Sequence, residues 1–112
     1  MPSIPTVVRD TGSASADDLD LARRASAGDP QAFRTIMTRH NQALYRIARA
    51  VIRNDSEAED VVQEAYVRAF SHLGSFRGEA TLATWLSRIT LNEALGRLRA
   101  WAQGGRARRW ND

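Results

Sequence analysis

Asp29-Pro30 opens the longest regular pattern in the chain, and that pattern leaves little choice of fold. From there Phe33, Met37, His40, Leu44, Ile47 and Val51 recur at intervals of 4, 3, 4, 3 and 4 residues, the spacing that lays side chains along one face of an α-helix. The start of this helix is fixed by an acid at the N-cap and proline at the first helical position. The carboxylate accepts amide hydrogens that have no partner inside the helix, and the N–H that proline lacks would be unpaired there anyway. A helix over about residues 30–53 follows, with one histidine in an apolar seam.

The same grammar recurs three times. Ser15 with Asp18 three residues on is a capping signal for a short helix through about residue 27, with Leu19, Ala22 and Ala25/Ser26 on one face and Gly28 as its stop. Asn54 with Glu57 resembles a capping box for a third helix, whose buried stripe is Ala58, Val61, Val62, Ala65, Ala69 and Leu73. Asp60, Gln63, Glu64 and Val67 fall on another face of it. Residues 74–80, GSFRGEA, break the period with two glycines around an aromatic and an arginine, which makes them a loop. Thr81 then caps a last helix, TLATWLSRITLNEALGRLRAW, with Leu82, Trp85, Leu86, Ile89, Leu91, Leu95 and Leu98 at helical spacing, before Gly104-Gly105 ends it. No stretch alternates with period two. The expected fold is all-α, a compact bundle of three to four helices spanning residues 17–102. Residues 1–16 mix Pro, Ser, Thr and Gly without apolar period and are expected to be a flexible, disordered tail; residues 103–112, with Arg106, Arg108 and Arg109, begin a basic linker.

At 112 residues the chain supports one modest core and no large cleft between domains. All 16 basic residues are Arg, and the net charge is +3. The planar guanidinium suits phosphate and base edges, although an Arg-only habit equally reflects base composition of a genome. The distribution is more telling. Residues 55–64 hold five acids and no base, between flanks of net +3 and +5. Two surfaces of opposite sign are implied. The absence of cysteine excludes disulfides and thiolate metal sites and fits a cytoplasmic protein, and no apolar run is long enough for membrane insertion.

First-turn acids stabilise a helix by about 0.3–1 kcal/mol each, which accounts for Asp55, Glu57 and in part Glu59. Asp60 and Glu64 lie beyond the first turn, where a like-charged i,i+4 pair costs a few tenths of a kcal/mol. They point instead to a basic partner. Neither His40 nor His72 follows a Glu by three residues, so the carboxylate–histidine pattern of bundle metal sites is missing. Without cysteine or a P-loop, neither metal, cofactor nor enzymatic activity is expected. The loop is more informative: Ser75-Phe76-Arg77-Gly78 sets an aromatic and a cation on flexible backbone, parts that stack on a base and hold a phosphate. The competing reading folds Phe76 back on the core. Arg88, Asn92 and Arg99 lie on one side of the last helix, and Asn is the side chain best matched to an adenine edge, while Trp85 is most simply a core anchor.

These residues carry a resemblance. DSEAEDVVQEAYVRAF, SFRGEATLATWLSRITLNEAL and GRLR, preceded by AGDPQAFRTIMTRHNQALYRIARAVIRN, resemble region 2 of bacterial RNA polymerase sigma factors of the extracytoplasmic-function group. The likeness runs from about Asp18 to Arg99, and the combination E-D-x-x-Q-E, F-R-G-E and W-L-x-R-I-x-x-N is highly specific. It implies that Asp60, Gln63, Glu64 and Val67 face a basic coiled coil on the largest subunit of core RNA polymerase. It implies also that the loop with Ser75, Phe76, Arg77 and Gly78, together with Arg88, Asn92 and Arg99, addresses the promoter minus-ten element and captures a base turned out of the non-template strand. A third implied partner is an anti-sigma factor that sequesters the domain. Two departures stand out. Gly96 sits where many members have an acid or other helix former, weakening the last helix by up to about 1 kcal/mol. Nothing after Asp112 supplies the second helical domain, region 4, that these factors use for the minus-thirty-five element, so a fragment cut within the linker is expected.

Overall fold

The computed structural model describes residues 12–104, and the basic residues 106, 108 and 109 lie outside them. Among the described residues four helices form: α1 (Ala16–Ser26), α2 (Pro30–Ile52), α3 (Asp55–Ser71) and α4 (Leu82–Ala102), with one 3₁₀ turn at Leu73–Ser75. There is no strand among the described residues.

Each start is made by the side chain the sequence offers. Ser15 accepts from the Asp18 amide, Asp29 from Gln31, Asn54 from Glu57 and Thr81 from Thr84. Asp29 also binds Arg24 Nε at 3.1 Å, joining the end of α1 to the start of α2. Its carboxyl is held below the usual range, first by the Gln31 amide. Between the two helices Gly28 takes φ +95°, where a side chain would be strained. α2 ends on Arg53 at φ 67°, a left-handed cap made without glycine. Of the tail expected over residues 1–16, residues 1–11 lie outside the described residues; Ser15 caps α1 as its spacing to Asp18 implies, and Ala14 donates its amide to the Gly78 carbonyl at 3.0 Å.

α4 packs across α2 and α3, which also pack on each other, while α1 docks on α2 and on the 3₁₀ turn. The stripe expected on α3 is buried as drawn, with Tyr66 added to it. On α2 and α4 the buried face is rotated. The α2 seam is Ala32, Ile36, Leu44, Ala48 and Ile52, with Phe33, Ile47 and Val51 beside it and Met37 37% exposed. On α4 it is Leu82, Leu86, Thr90, Ala94 and Trp101, which leaves Leu91, Leu95 and Leu98 about two-fifths exposed. Leu19 of α1 is likewise exposed, Leu21 taking the inward place. Small side chains share these seams with large ones: Ala32 and Ala48 are fully buried beside Ile36 and Leu44 on α2, and Ala94 beside Leu82 and Leu86 on α4. Thr90, fully buried, spends its hydroxyl on the Leu86 carbonyl at 2.9 Å.

Candidate nucleic-acid interface and the acidic helix face

α3 ends at His72, and the chain turns through Leu73, a buried anchor, into the loop. Ser75 ties the turn back twice, by its amide (2.9 Å) and its hydroxyl (2.7 Å), to the His72 carbonyl. Phe76 is half-buried and its ring lies 5.2 Å from that of Trp85, tilted by 58°. The ring is therefore partly folded back, as the competing reading held, while still lining the loop surface. Gly78 takes φ +82° and packs against Leu19 of α1. Arg77 projects into solvent.

Loop residues 75–80 with Trp85 and Arg88 enclose a cleft of about 370 Å³. A second cleft, about 690 Å³, opens between α3 and α4; Arg68, His72, Ser75, Trp85, Asn92 and Arg97 are among its walls. Ser75 and Trp85 border both. Six of the seven residues selected on the DNA side thus fall on two adjoining clefts, five on the first and Asn92 on the second with Ser75. Arg99, although exposed on the same helix, lines neither of the two. Sequence reasoning missed the place of Trp85, which is half-buried and separates the clefts rather than sitting wholly in the core. The available signal was its position in the first turn after the loop. Gly96 lies on the second cleft, and a Cβ added there would meet nothing within 4 Å, so its missing side chain leaves that floor open.

Two ion pairs frame the second cleft and tie α4 to α3. Arg68 Nε donates to Glu93 at 2.6 Å and Arg97 to Glu57 at 3.0 Å. The acids are alike in depth, Glu93 at 14% and Glu57 at 16% exposure, but the guanidiniums differ: Arg68 is 60% exposed and Arg97 20%. His72 Nδ1 lies 3.0 Å from the Arg68 carbonyl.

The acidic block divides into two populations. Asp55 receives Arg49 Nε at 2.7 Å and the Tyr45 hydroxyl at 3.0 Å, and Arg49 above all holds its carboxyl below the usual range. Glu57 is taken by Arg97. These two knit α3 to α2 and α4. Glu59, Asp60 and Gln63 are exposed, Glu64 half-buried, and Val67 is 58% exposed. The side of α3 turned from the core is therefore acidic with one bare aliphatic residue. A groove of about 810 Å³ between α2 and α3 borders it, lined by Met37, Tyr45, Glu59, Gln63 and Tyr66 among others. Burial pushes the Tyr66 hydroxyl up to about 12. Among the described residues no group of three or more His, Cys, Asp or Glu stands as metal ligands do, and no helix is long and apolar enough to cross a membrane.

The family model for Sigma-70 region 2 matches residues 36–103. Among curated proteins the chain is 39% identical over 88 residues to the ECF RNA polymerase sigma factor SigM of Mycobacterium tuberculosis, covering 79% of this chain and 45% of that protein. It is 41% identical over 84 residues to the ECF RNA polymerase sigma-E factor of Haemophilus influenzae, 74% of this chain and 43% of the relative. The chain thus spans less than half the length of these relatives. Among solved structures, an engineered region 2 of sigmaE in complex with GTAAAA superposes with a TM-score of 0.69 at 33% identity, over 83% of this chain and 97% of that one. CnrH in complex with the cytosolic domain of CnrY superposes with a TM-score of 0.64 at 34% identity, over 70% and 51%.

Proposed function

The chain belongs to the Sigma-70 region 2 family, among the extracytoplasmic-function sigma factors, and from that premise we propose that it is a non-enzymatic transcription initiation domain with two working faces. The outward side of α3, with Asp60, Gln63, Glu64 and Val67, binds the basic coiled coil of core RNA polymerase in the cytoplasm. The loop and α4, with Ser75, Phe76, Arg77, Gly78, Arg88, Asn92 and Arg99, recognise the minus-ten element on the non-template strand and help to melt it. The observation that carries this reading is the separation of chemistry: carboxylates on one helix face, and an aromatic-walled cleft with arginines at the loop–α4 junction. Extracting a base from a duplex costs a few kcal/mol of stacking, so a cleft that rewards one particular base couples recognition to opening. No covalent bond changes; the domain lowers the free energy of opened DNA inside a larger enzyme.

A second role, sequestration by an anti-sigma regulator, is supported by the CnrH relative, whose structure holds the cytosolic domain of CnrY. The two roles are compatible in one protein.

The test has two arms. The chain is titrated with purified core polymerase beside Asp60→Arg, which sets like charges together and is expected to weaken binding by about tenfold or more. It is also titrated with single-stranded GTAAAA, the hexamer held by the sigmaE relative, and with the single-base variants of that strand. Asn92→Ala is expected to lower open-complex formation on a responsive promoter by about tenfold with polymerase affinity unchanged, since a bidentate Asn–adenine pair is worth about 1–3 kcal/mol. Normal polymerase binding by Asp60→Arg would refute the assignment of that face, and unchanged promoter opening would remove Asn92 from the other.

A further inference from the structure

α1 and the residues just before it touch the proposed DNA-facing loop and the start of α4 at three places. The Ala14 amide donates to the Gly78 carbonyl at 3.0 Å. Leu19 lies so close to Gly78 that a Cβ built there would stand 2.8 Å from Leu19 Cδ2, and Gly78 holds φ +82° at that point. The Asp18 carboxylate accepts the Leu82 amide of α4 at 2.9 Å, across 64 residues of sequence. Asp18 is itself anchored, its own amide donating to Ser15 Oγ at 3.0 Å. The first amides of a helix have no partner within it. On α4 the Thr81 hydroxyl serves Thr84, and the Leu82 amide is served from another helix.

As a first-turn acid Asp18 favours the α1 dipole, but Asp17 beside it supplies the same charge, and that effect requires no bond to Leu82. A carboxylate beside the loop repels the phosphodiester that the proposed function brings to Arg77 and Arg88. An acid retained where the ligand is an anion is explained by what it holds in place. A loop ordered before binding also loses less entropy on capture.

We propose that Asp18 is a positioning residue for nucleic-acid recognition: by capping α4 at Leu82, and together with the Ala14–Gly78 bond and the Leu19 contact, it fixes the second half of the loop that receives an unstacked base and its junction with α4. This rests on the reading of that loop as the base-capturing element. Asp18 touches no DNA itself and acts through the backbone of Gly78 to Leu82.

The whole chain is compared with Asp18→Ala and Asp18→Asn, using the tightest and weakest hexamers of the single-strand panel, and with core polymerase on the same samples. Asp18→Ala is expected to weaken the tightest hexamer by about five- to tenfold, the effect of an unserved cap, leaving the weakest hexamer and polymerase affinity within about twofold. Asp18→Asn restores wild-type selectivity, because an asparagine oxygen caps as well as a carboxylate. Were Asp18 only a charge, both substitutions would tighten every strand alike. Retained selectivity in Asp18→Ala, equal behaviour of Ala and Asn, or loss of polymerase binding alongside strand binding would each overturn the proposal. A wild-type chain that discriminates no hexamer overturns the promoter reading itself, and this inference with it, before any substitution is compared.

Discussion

The pairs Arg97–Glu57 and Arg68–Glu93 are a controlled experiment built into the molecule, since both join α4 to α3 through a largely buried acid, Glu57 at 16% and Glu93 at 14% exposure, but with guanidiniums at different depth. Two unit charges about 4 Å apart attract by about 4 kcal/mol at an effective dielectric constant of about 20, and by about 1 kcal/mol in water. Arg97 and Glu57, at 20% and 16% exposure, stand nearer the first case, less the desolvation both groups have suffered. Arg68, at 60% exposure, keeps water at its guanidinium and stands nearer the second, although Glu93 is only 14% exposed. A double-mutant cycle with Arg97→Met and Glu57→Gln should give a coupling of about 1–2 kcal/mol, and the cycle with Arg68→Met and Glu93→Gln at most about 0.5 kcal/mol. The assay is urea unfolding followed by circular dichroism, each cycle run at low and at roughly 0.5 M salt, where the Debye length falls to about 4 Å and the exposed pair is screened first. Single removal of Glu57 should cost more than the coupling itself, because the Arg97 guanidinium is left partly buried without its main acceptor. Equal couplings, or the larger one at Arg68–Glu93, would refute the ranking by burial.

Two further outcomes follow from local geometry. Burial holds the half-buried His40 below its ordinary 6.5, with Arg39 acting the same way and the charge of Asp18 opposing, so the folded state disfavours the proton. Stability is then complete above about pH 6.5 and declines as pH falls through the lower folded value, by at most about 1.4 kcal/mol per pH unit for one proton; Asp29 and Asp55, depressed below 3.8, titrate far outside this window. Urea midpoints between pH 7.5 and 5.5 should drop for the wild type and stay level for His40→Gln, and the same decline in both would refute the assignment. Arg53, at φ 67°, bears a Cβ in a left-handed cap, so Arg53→Gly should raise stability by about 0.5 kcal/mol, the steric relief being partly offset by the freer unfolded chain; a loss of 1 kcal/mol would show that the arginine does more there than cap.

Helix starts were legible because capping is local: Ser15, Asp29-Pro30, Asn54 and Thr81 each needed only the three or so residues that follow them. The face each helix buries was legible for α3, whose apolar residues form one stripe, and misread on α2 and α4. There, large side chains such as Met37, Leu91, Leu95 and Leu98 drew the seam towards themselves, whereas the crossing helices select Ala32, Ala48, Thr90 and Ala94. Close approach of two backbones is a property of the pair, and one helix read alone does not display it. The site shows the same division. The acids of α3 and the loop cations announce themselves by charge, but that Glu57 belongs to Arg97, or Asp18 to Leu82, is decided by pairings 40 and 64 residues apart.

Those pairings change what the charge of this chain means. A net charge of +3 invites the view of a weakly basic molecule drawn to nucleic acid as a whole. Inside the fold, Arg49, Arg68 and Arg97 are consumed by Asp55, Glu93 and Glu57, and Arg24 by Asp20 and Asp29. Arg77, Arg88 and Arg99, by contrast, enter no ion pair among the described residues and are all exposed on the loop and α4. Arg34, Arg46 and Arg53 are likewise exposed and outside those pairs, so the field at the proposed DNA face combines Arg77, Arg88 and Arg99 with the neighbouring acid Glu79 and does not follow from the net charge alone. The same pairing sorts the acidic block: Asp55 and Glu57, nearest the start of α3, lock helices together, while Glu59, Asp60 and Glu64 lie further along, on the side turned from the core. Internal neutralisation thus sharpens the two surfaces, because each ion pair cancels a charge that would otherwise blur the sign of the face beside it.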